Sequence, residues 1–261
     1  MLTDYSGAEP VSLAERAALL CTMEEGQAPD GEALARAFRQ LADWQDQGIR
    51  LLCRRDCDYP ANLRRLACMP KSLFVQGELR PQDNRAVAIV GTRQASVDGL
   101  RRASRLSCSL ARQGVTIVSG LARGIDTAAH TAALGVGGRT VAVLGTGLTR
   151  YYPPENAALQ AEIAARGLLV SQFSPTFQGT RYSFPMRNRV IAGLALISVV
   201  VEAAQGSGAQ NEARAAQKLG RTVFLLRSLV QDQSWARAMV ENQGALVLTG
   251  EEQILQALDG L

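Results

Sequence analysis

The sequence predicts a doubly wound α/β fold, a mostly parallel sheet with helices on both faces, preceded by a small helical region. Three observations carry this. Short β-branched apolar runs recur from residue 87 to residue 248. Alanine-rich stretches of helical length separate them. Several of the runs end in turns rich in glycine and hydroxyl residues. Strands buried on both faces read as continuous apolar runs rather than as alternating ones.

In chain order, helices are expected over 12–21 and 31–44, the second started by Asp30 or Gly31 and stopped by Gly48. Residues 49–52 alternate like a short strand. The regular part then places strands at 87–90, 115–118, 140–144, 168–171, 196–201, 222–226 and 245–248, with helices between them.

Of the 261 residues, 47% are hydrophobic and 20% charged, enough apolar material for a sizeable core. A mean hydropathy near zero excludes general disorder. The longest apolar stretch, 190–201, is broken by Gly193 and Ser198 and falls short of the roughly 20 residues of a bilayer span. Asp4 and Glu9, without a basic start, do not make a signal peptide. Cys21, Cys53, Cys57, Cys68 and Cys108 lack C-x-x-C spacing, and His130 is the only histidine. No metal site, disulfide scaffold or cofactor is expected, and the chain reads as cytoplasmic.

Charge is uneven along the chain. Residues 1–84 are net −3, residues 151–261 are balanced, and residues 85–150 carry nine arginines against Asp98 and Asp126. A polyanion partner and a solvated helix face both account for such a block, and Arg101, Arg102, Arg105 and Arg112 suit the second.

In a doubly wound sheet, ligands bind beyond the carboxyl ends of the strands. Four strand ends here lead into Gly91-Thr92-Arg93 with Ser96, Ser119-Gly120 with Arg123 and Gly124, Gly145-Thr146-Gly147, and Gly206-Ser207-Gly208. Glycine admits a ligand close to the backbone, and a helix N-terminus offers free N–H groups to an anion. A phosphate-bearing ligand is therefore expected at this edge. There is no G-x-G-x-x-G after the first of these strands and no G-x-x-x-x-G-K-[ST] anywhere, which disfavours dinucleotide redox chemistry and P-loop ATP hydrolysis.

The turns resemble those of the DprA/Smf family of bacterial DNA-processing proteins. The matching text is AIVGTRQAS at 88–96, SGLARGIDTAAH at 119–130, VAVLGTGL at 141–148, YPPEN at 152–156, FPMRNRVIAGL at 184–194, and VVVEA followed by SGA over 199–209. Asp58-Tyr59-Pro60 and 73–77 look like the family's lead-in to the sheet. The resemblance implies a short helical region over 1–48 and an extended Rossmann domain over 49–261. It also implies non-enzymatic binding of single-stranded DNA, RecA loading and a homodimer. Residue by residue, Arg93 would contact phosphate beside Gly91 and Thr92, and Ser119, Gly120 and Gly124 would shape a second phosphate pocket. Phe184, Arg187, Asn188 and Arg189 would face the nucleic acid. Phe184 reads equally as a core plug, Asp126 as the N-cap of the helix after it, and His130 as making an ordinary contact one helical turn from Asp126.

Departures from the family pattern are Ser171-Gln172 in place of Ser-Glu, Arg227-Ser228 in place of Pro-Gly, and no room for a C-terminal winged helix before Leu261. The segment from Gly206 to Glu212 fits G-x-G-x-x-x-E and is similar to the loop of LOG-type phosphoribohydrolases. That likeness implies an alternative in which Arg189 and Glu212 are catalytic on a nucleotide. A nucleotide-sensing regulator is a third reading, and a surface Glu212 paired with Arg214 is the plainest one.

Overall fold

The computed structural model describes residues 11–25 and 30–261; the acidic N-terminus around Asp4 and Glu9 lies outside them. Helix α1 (Leu13–Glu25) opens on a reciprocal cap, the Glu15 amide donating to Ser12 Oγ and the Ser12 amide to Glu15 Oε2. Helix α2 (Gly31–Asp46) starts as expected, with the Asp30 carboxylate accepting from the Ala33 amide at 2.7 Å, and it stops before Gly48 at φ +73°. Its buried Ala33, Ala37, Leu41 and Trp44 share one face at helical spacing. They join Ile49, Phe74 and Leu169 in one cluster, so both N-terminal helices pack directly on the sheet.

The remaining elements are β1 (Ile49–Cys53), α3 (Ala61–Arg64), β2 (Ser72–Gly77), β3 (Ala86–Val90), α4 (Val97–Arg112), β4 (Thr116–Ser119), α5 (Ile125–Gly135) and β5 (Thr140–Val143). Then come α6 (Ala157–Arg166), β6 (Leu168–Ser171), α7 (Ser183–Leu194), β7 (Ile197–Val200), α8 (Gly208–Lys218), β8 (Thr222–Leu226), α9 (Arg227–Asp232), α10 (Ser234–Gln243), β9 (Leu246–Leu248) and α11 (Glu252–Asp259). Among the described residues the strands form one sheet in the order β1-β2-β6-β5-β4-β3-β7-β8-β9. Only β2 runs against its neighbours, pairing Leu73 with Leu52 on one side and Val75 with Val170 on the other. No strand was expected at β2. Its apolar Leu73-Phe74-Val75 is too short to show a period, and its strand character comes from the two neighbours it joins.

The continuous apolar runs do what their pattern requires. In β3, Ala86, Ala88 and Val90 enter a core shared with α7, α8 and α10, whereas Val87 and Ile89 enter one shared with α4, α5 and α11. Both faces are covered. From β3 the chain winds outward through β4, β5 and β6, then returns to β7 on the other side and continues to β8 and β9. Helices α4 and α8, which follow β3 and β7, lie on opposite faces. A crevice therefore opens between their strand ends, the switch point where doubly wound folds bind ligands.

Candidate nucleic-acid interface

The four turns lie side by side because β5, β4, β3 and β7 are neighbours. Three of them, together with the N-terminal half of α7, line a cavity of about 550 Å³ at the switch point. Gly91, Thr92 and Arg93 come from the β3 turn, Arg123 and Asp126 from the β4 turn, and Ser207 and Gly208 from the start of α8. A smaller adjoining cavity of about 120 Å³ adds Gly120, Gly145 and Thr146.

Phe184, Arg187 and Asn188 sit at i, i+3 and i+4 on α7, and all three face the larger cavity. The exposed Arg93 guanidinium lies 5.7 Å from the centre of the Phe184 ring, within cation–π range. On the ring's other contact stands Tyr152, 5.2 Å between centroids and tilted by 45°. Phe184 seats over Gly145, where a Cβ would come within 2.6 Å of the ring. The ring is half-buried and lines both cavities, so it is a wall of the site and not a core plug. Asn188 ties the wall down by donating to the Gly208 carbonyl at 2.9 Å.

The floor is buried and charged. Arg187 donates to the Val143 carbonyl at 3.0 Å and crosses Gly120, whose added Cβ would fall 1.5 Å from its Nη1. Burial lowers the Arg187 pKa, and the Asp126 carboxylate opposes that shift. Asp126 is the second residue of α5 and not its cap, a position held by Gly124. Its carboxylate accepts from the Gly120 and Ala122 amides at 3.1 and 3.3 Å, so it closes the turn before the helix. Burial pushes its pKa up against the pull of Arg187. Glu212 is also buried, which corrects the reading of it as a surface partner of Arg214. It accepts from Ser198 Oγ at 2.8 Å on one oxygen, and burial raises its pKa to about 8. Among the described residues its other oxygen and Arg187 Nε have no hydrogen-bond partner.

Several sequence candidates support the site from behind. Ser96 caps α4 by accepting from the Gly99 amide at 2.9 Å, and its own amide donates to Glu202. Ser119 donates to the Ile89 carbonyl at 2.6 Å and is fully buried. Gly147 donates to the Phe177 carbonyl at 2.8 Å. Arg189 is exposed and lines neither cavity, because it lies off the face shared by Phe184 and Arg187. His130 is buried against the Thr140 hydroxyl at 2.7 Å and not against Asp126; burial depresses its pKa to about 3. Leu121 is the one described non-glycine residue with a left-handed φ, at +57°, and its fully buried side chain holds the strained β4 turn in place. Among the described residues no cluster of three or more His, Cys, Asp or Glu side chains is placed to hold a metal, and no helix is long and apolar enough to cross a membrane.

A family model described as DNA recombination-mediator protein A matches residues 50–259. The chain belongs to the DprA/Smf family. It is 42% identical over 219 residues to Protein Smf of Escherichia coli, covering 82% of this chain and 58% of that one. It is 37% identical over 203 residues to DNA processing protein DprA of Streptococcus pneumoniae, covering 77% and 71%. The X-ray structure of the pneumococcal DprA superposes with a TM-score of 0.75 at 29% identity, over 95% of this chain and 98% of that one. A structure of Helicobacter pylori DNA processing protein A, described for its single-stranded DNA binding mode, superposes at 0.71 with 28% identity over 81% and 96%. This DprA/Smf chain spans 58% of the length of the E. coli Smf protein, and the same share of a Synechocystis Smf protein.

Two residues of this DprA/Smf site escaped sequence reasoning. Tyr152 and Glu202 fall within YPPEN and VVVEA, motifs that gave neither a role; Tyr152 packs on Phe184, and Glu202 accepts from the Ser96 amide and hydroxyl. An aromatic residue directly before two prolines and near a second ring was the available signal for Tyr152.

Proposed function

We propose that this chain binds single-stranded DNA in DNA processing and recombination, with no catalytic step, and that the strand crosses the carboxyl edge of the sheet between Arg93 and Phe184. The observation that carries this reading is the Arg93–Phe184–Tyr152 stack at the mouth of the switch-point cavity. An arginine fork grips phosphate, and an aromatic ring that lines the cavity offers stacking to an unpaired base without demanding sequence. Family membership and the single-stranded DNA binding of the H. pylori relative support the same ligand. The role in recombination carries RecA as a protein partner, a homodimer and a cytoplasmic setting, all taken from the family resemblance.

The test compares an oligonucleotide with a mononucleotide across a salt series. The oligonucleotide should bind with a log affinity that falls linearly with log salt, by about 0.7 per phosphate neutralised, and with little dependence on sequence. Preference for the mononucleotide with a flat salt response would refute the proposal.

One observation favours a second reading, hydrolysis of a nucleotide N-glycosidic bond: Glu212 lines the cavity, and one of its buried carboxylate oxygens has no hydrogen-bond partner among the described residues. Arg189, the arginine that this reading needs, does not line the cavity with it. Incubation with purine monophosphates should release no free base. Base release that Glu212→Gln abolishes, with nucleotide binding intact, would establish the enzyme instead, since a general acid–base group contributes about 10²–10⁴-fold.

A further inference from the structure

A second groove, of about 580 Å³, lies on the same carboxyl edge at the ends of β8 and β9, bordered by Leu226 and Leu248. Arg101, Arg102 and Arg105 line it from the first and middle turns of α4, and Arg227 lines it from the start of α9. All four arginines are exposed. Glu251 is the single acidic residue among the lining side chains. Arg101 approaches Asp98 at 3.7 Å, both largely in solvent, and Arg102 donates to Ser228 Oγ at 2.7 Å. Arg105 and Arg227 make no ion pair among the described residues. Like charges at i, i+3 and i, i+4 on one helix repel, and here Arg105 stands at those spacings from Arg102 and Arg101. A groove that gathers four exposed guanidinium groups, two of them in no ion pair among the described residues, is matched to a ligand that brings several negative charges.

The two sites are joined by one helix. Its cap, Ser96, comes three residues after Arg93 of the turn that lines the first cavity. From that cap, Arg101 and Arg105 lie about 8 and 14 Å along the α4 axis at about 1.5 Å per residue. Asp98 and Glu202 stand close to the route; the first faces Arg101 and the second is engaged by the Ser96 amide and hydroxyl. Spaced guanidinium groups suit the repeating phosphates of a strand better than a single ion.

We infer that the Arg101–Arg105–Arg227 groove is a second phosphate-binding site, which takes the backbone of a single strand after it leaves the switch-point cavity. This rests on the DNA-binding reading above and lengthens its footprint across β8 and β9.

The experiment measures binding of two single-stranded oligonucleotides to the full chain across a salt series. One is about 4 nucleotides long and the other about 16, the two ends of the usual range for single-strand sites. The variant Arg105→Ala/Arg227→Ala removes two cations that no ion pair uses. It should bind the short strand as wild type does and the long strand more weakly. Its salt slope on the long strand should fall by about 1.4, the share of two phosphates on single strands. Arg112→Ala, at the far end of the same helix, should leave both lengths unchanged. Wild-type affinity and slope for the long strand in the double variant, while Arg93→Ala weakens both lengths, would overturn the groove and leave the first site standing. Equal losses from Arg112→Ala would also overturn it, since net charge alone would then explain the effect. So would a groove that bound polyglutamate in a manner sensitive to the double variant but ignored the long strand. Binding indifferent to Arg93→Ala at both lengths would remove the first site and the continuous track together.

Discussion

Arg93 spends its guanidinium on a ring face instead of a carboxylate, which leaves its donors directed to whatever enters the cavity. Phe184 is thus both a stacking surface and a support for the cation. Phe184→Ala should cost about 1–3 kcal/mol of single-stranded DNA affinity for the base it stacks, read from equilibrium titrations. Tyr152→Ala should give a loss in the same direction, and retained affinity in both variants would leave the rings as packing. Glu212 carries a pH signature. Its folded pKa of about 8 stands above the ordinary 4.5, so the fold favours the protonated form. That contribution is fully present below the ordinary value and is lost as pH rises through about 8. Across this window stability falls by up to about 1.4 kcal/mol per pH unit, because the unfolded chain has released a proton that the folded chain keeps. Glu212→Gln keeps the Ser198 contact and should flatten this decline, with its largest gain over wild type above pH 8 in denaturant unfolding. A parallel pH profile for the two proteins would show Glu212 ionised in the fold. At this scale the place of Arg93, Phe184 and Asn188 at the cavity was legible because the family motifs mark them. The burial of Glu212 was not, because it depends on where β7 places Ser198 beneath α8.

The elements show the same division. The parallel strands and their intervening helices could be read in the apolar runs, and the caps at Asp30 and Gly48 fell where the residue types put them. The antiparallel β2 could not, since its identity as a strand is set by pairing with β1 and β6. The β4 turn was legible as glycine-rich, but its purpose was not. Gly120 is there to let the Arg187 guanidinium pass, and Asp126 closes the turn through two amides. Gly120→Ala should therefore displace Arg187 from the Val143 carbonyl. Overpacking of this kind typically costs about 1–3 kcal/mol in stability, measurable by chemical denaturation. DNA affinity should fall with it, and a fully stable variant would mean that the floor repacks freely.

For the whole molecule, the arginine block of residues 85–150 resolves into separate tasks. Arg139 is buried in a two-pronged pair with Asp83, and Arg85 meets Asp259 at 2.8 Å. Arg123 lines the switch-point cavity while paired with Glu155. Arg93 faces the switch-point cavity, and Arg101, Arg102 and Arg105 face the second groove. Total charge along the sequence could not separate structural from ligand-facing arginines, because burial and partners are fixed only by the fold. The central claim is that the carboxyl edge at Arg93 holds the phosphates of a single strand. It is tested most directly by the salt dependence of single-stranded DNA binding in Arg93→Ala beside wild type. Loss of that cation should weaken binding and lower the slope of log affinity against log salt by about 0.7, the share of one phosphate. Unchanged affinity and an unchanged slope in a folded Arg93→Ala protein would contradict it.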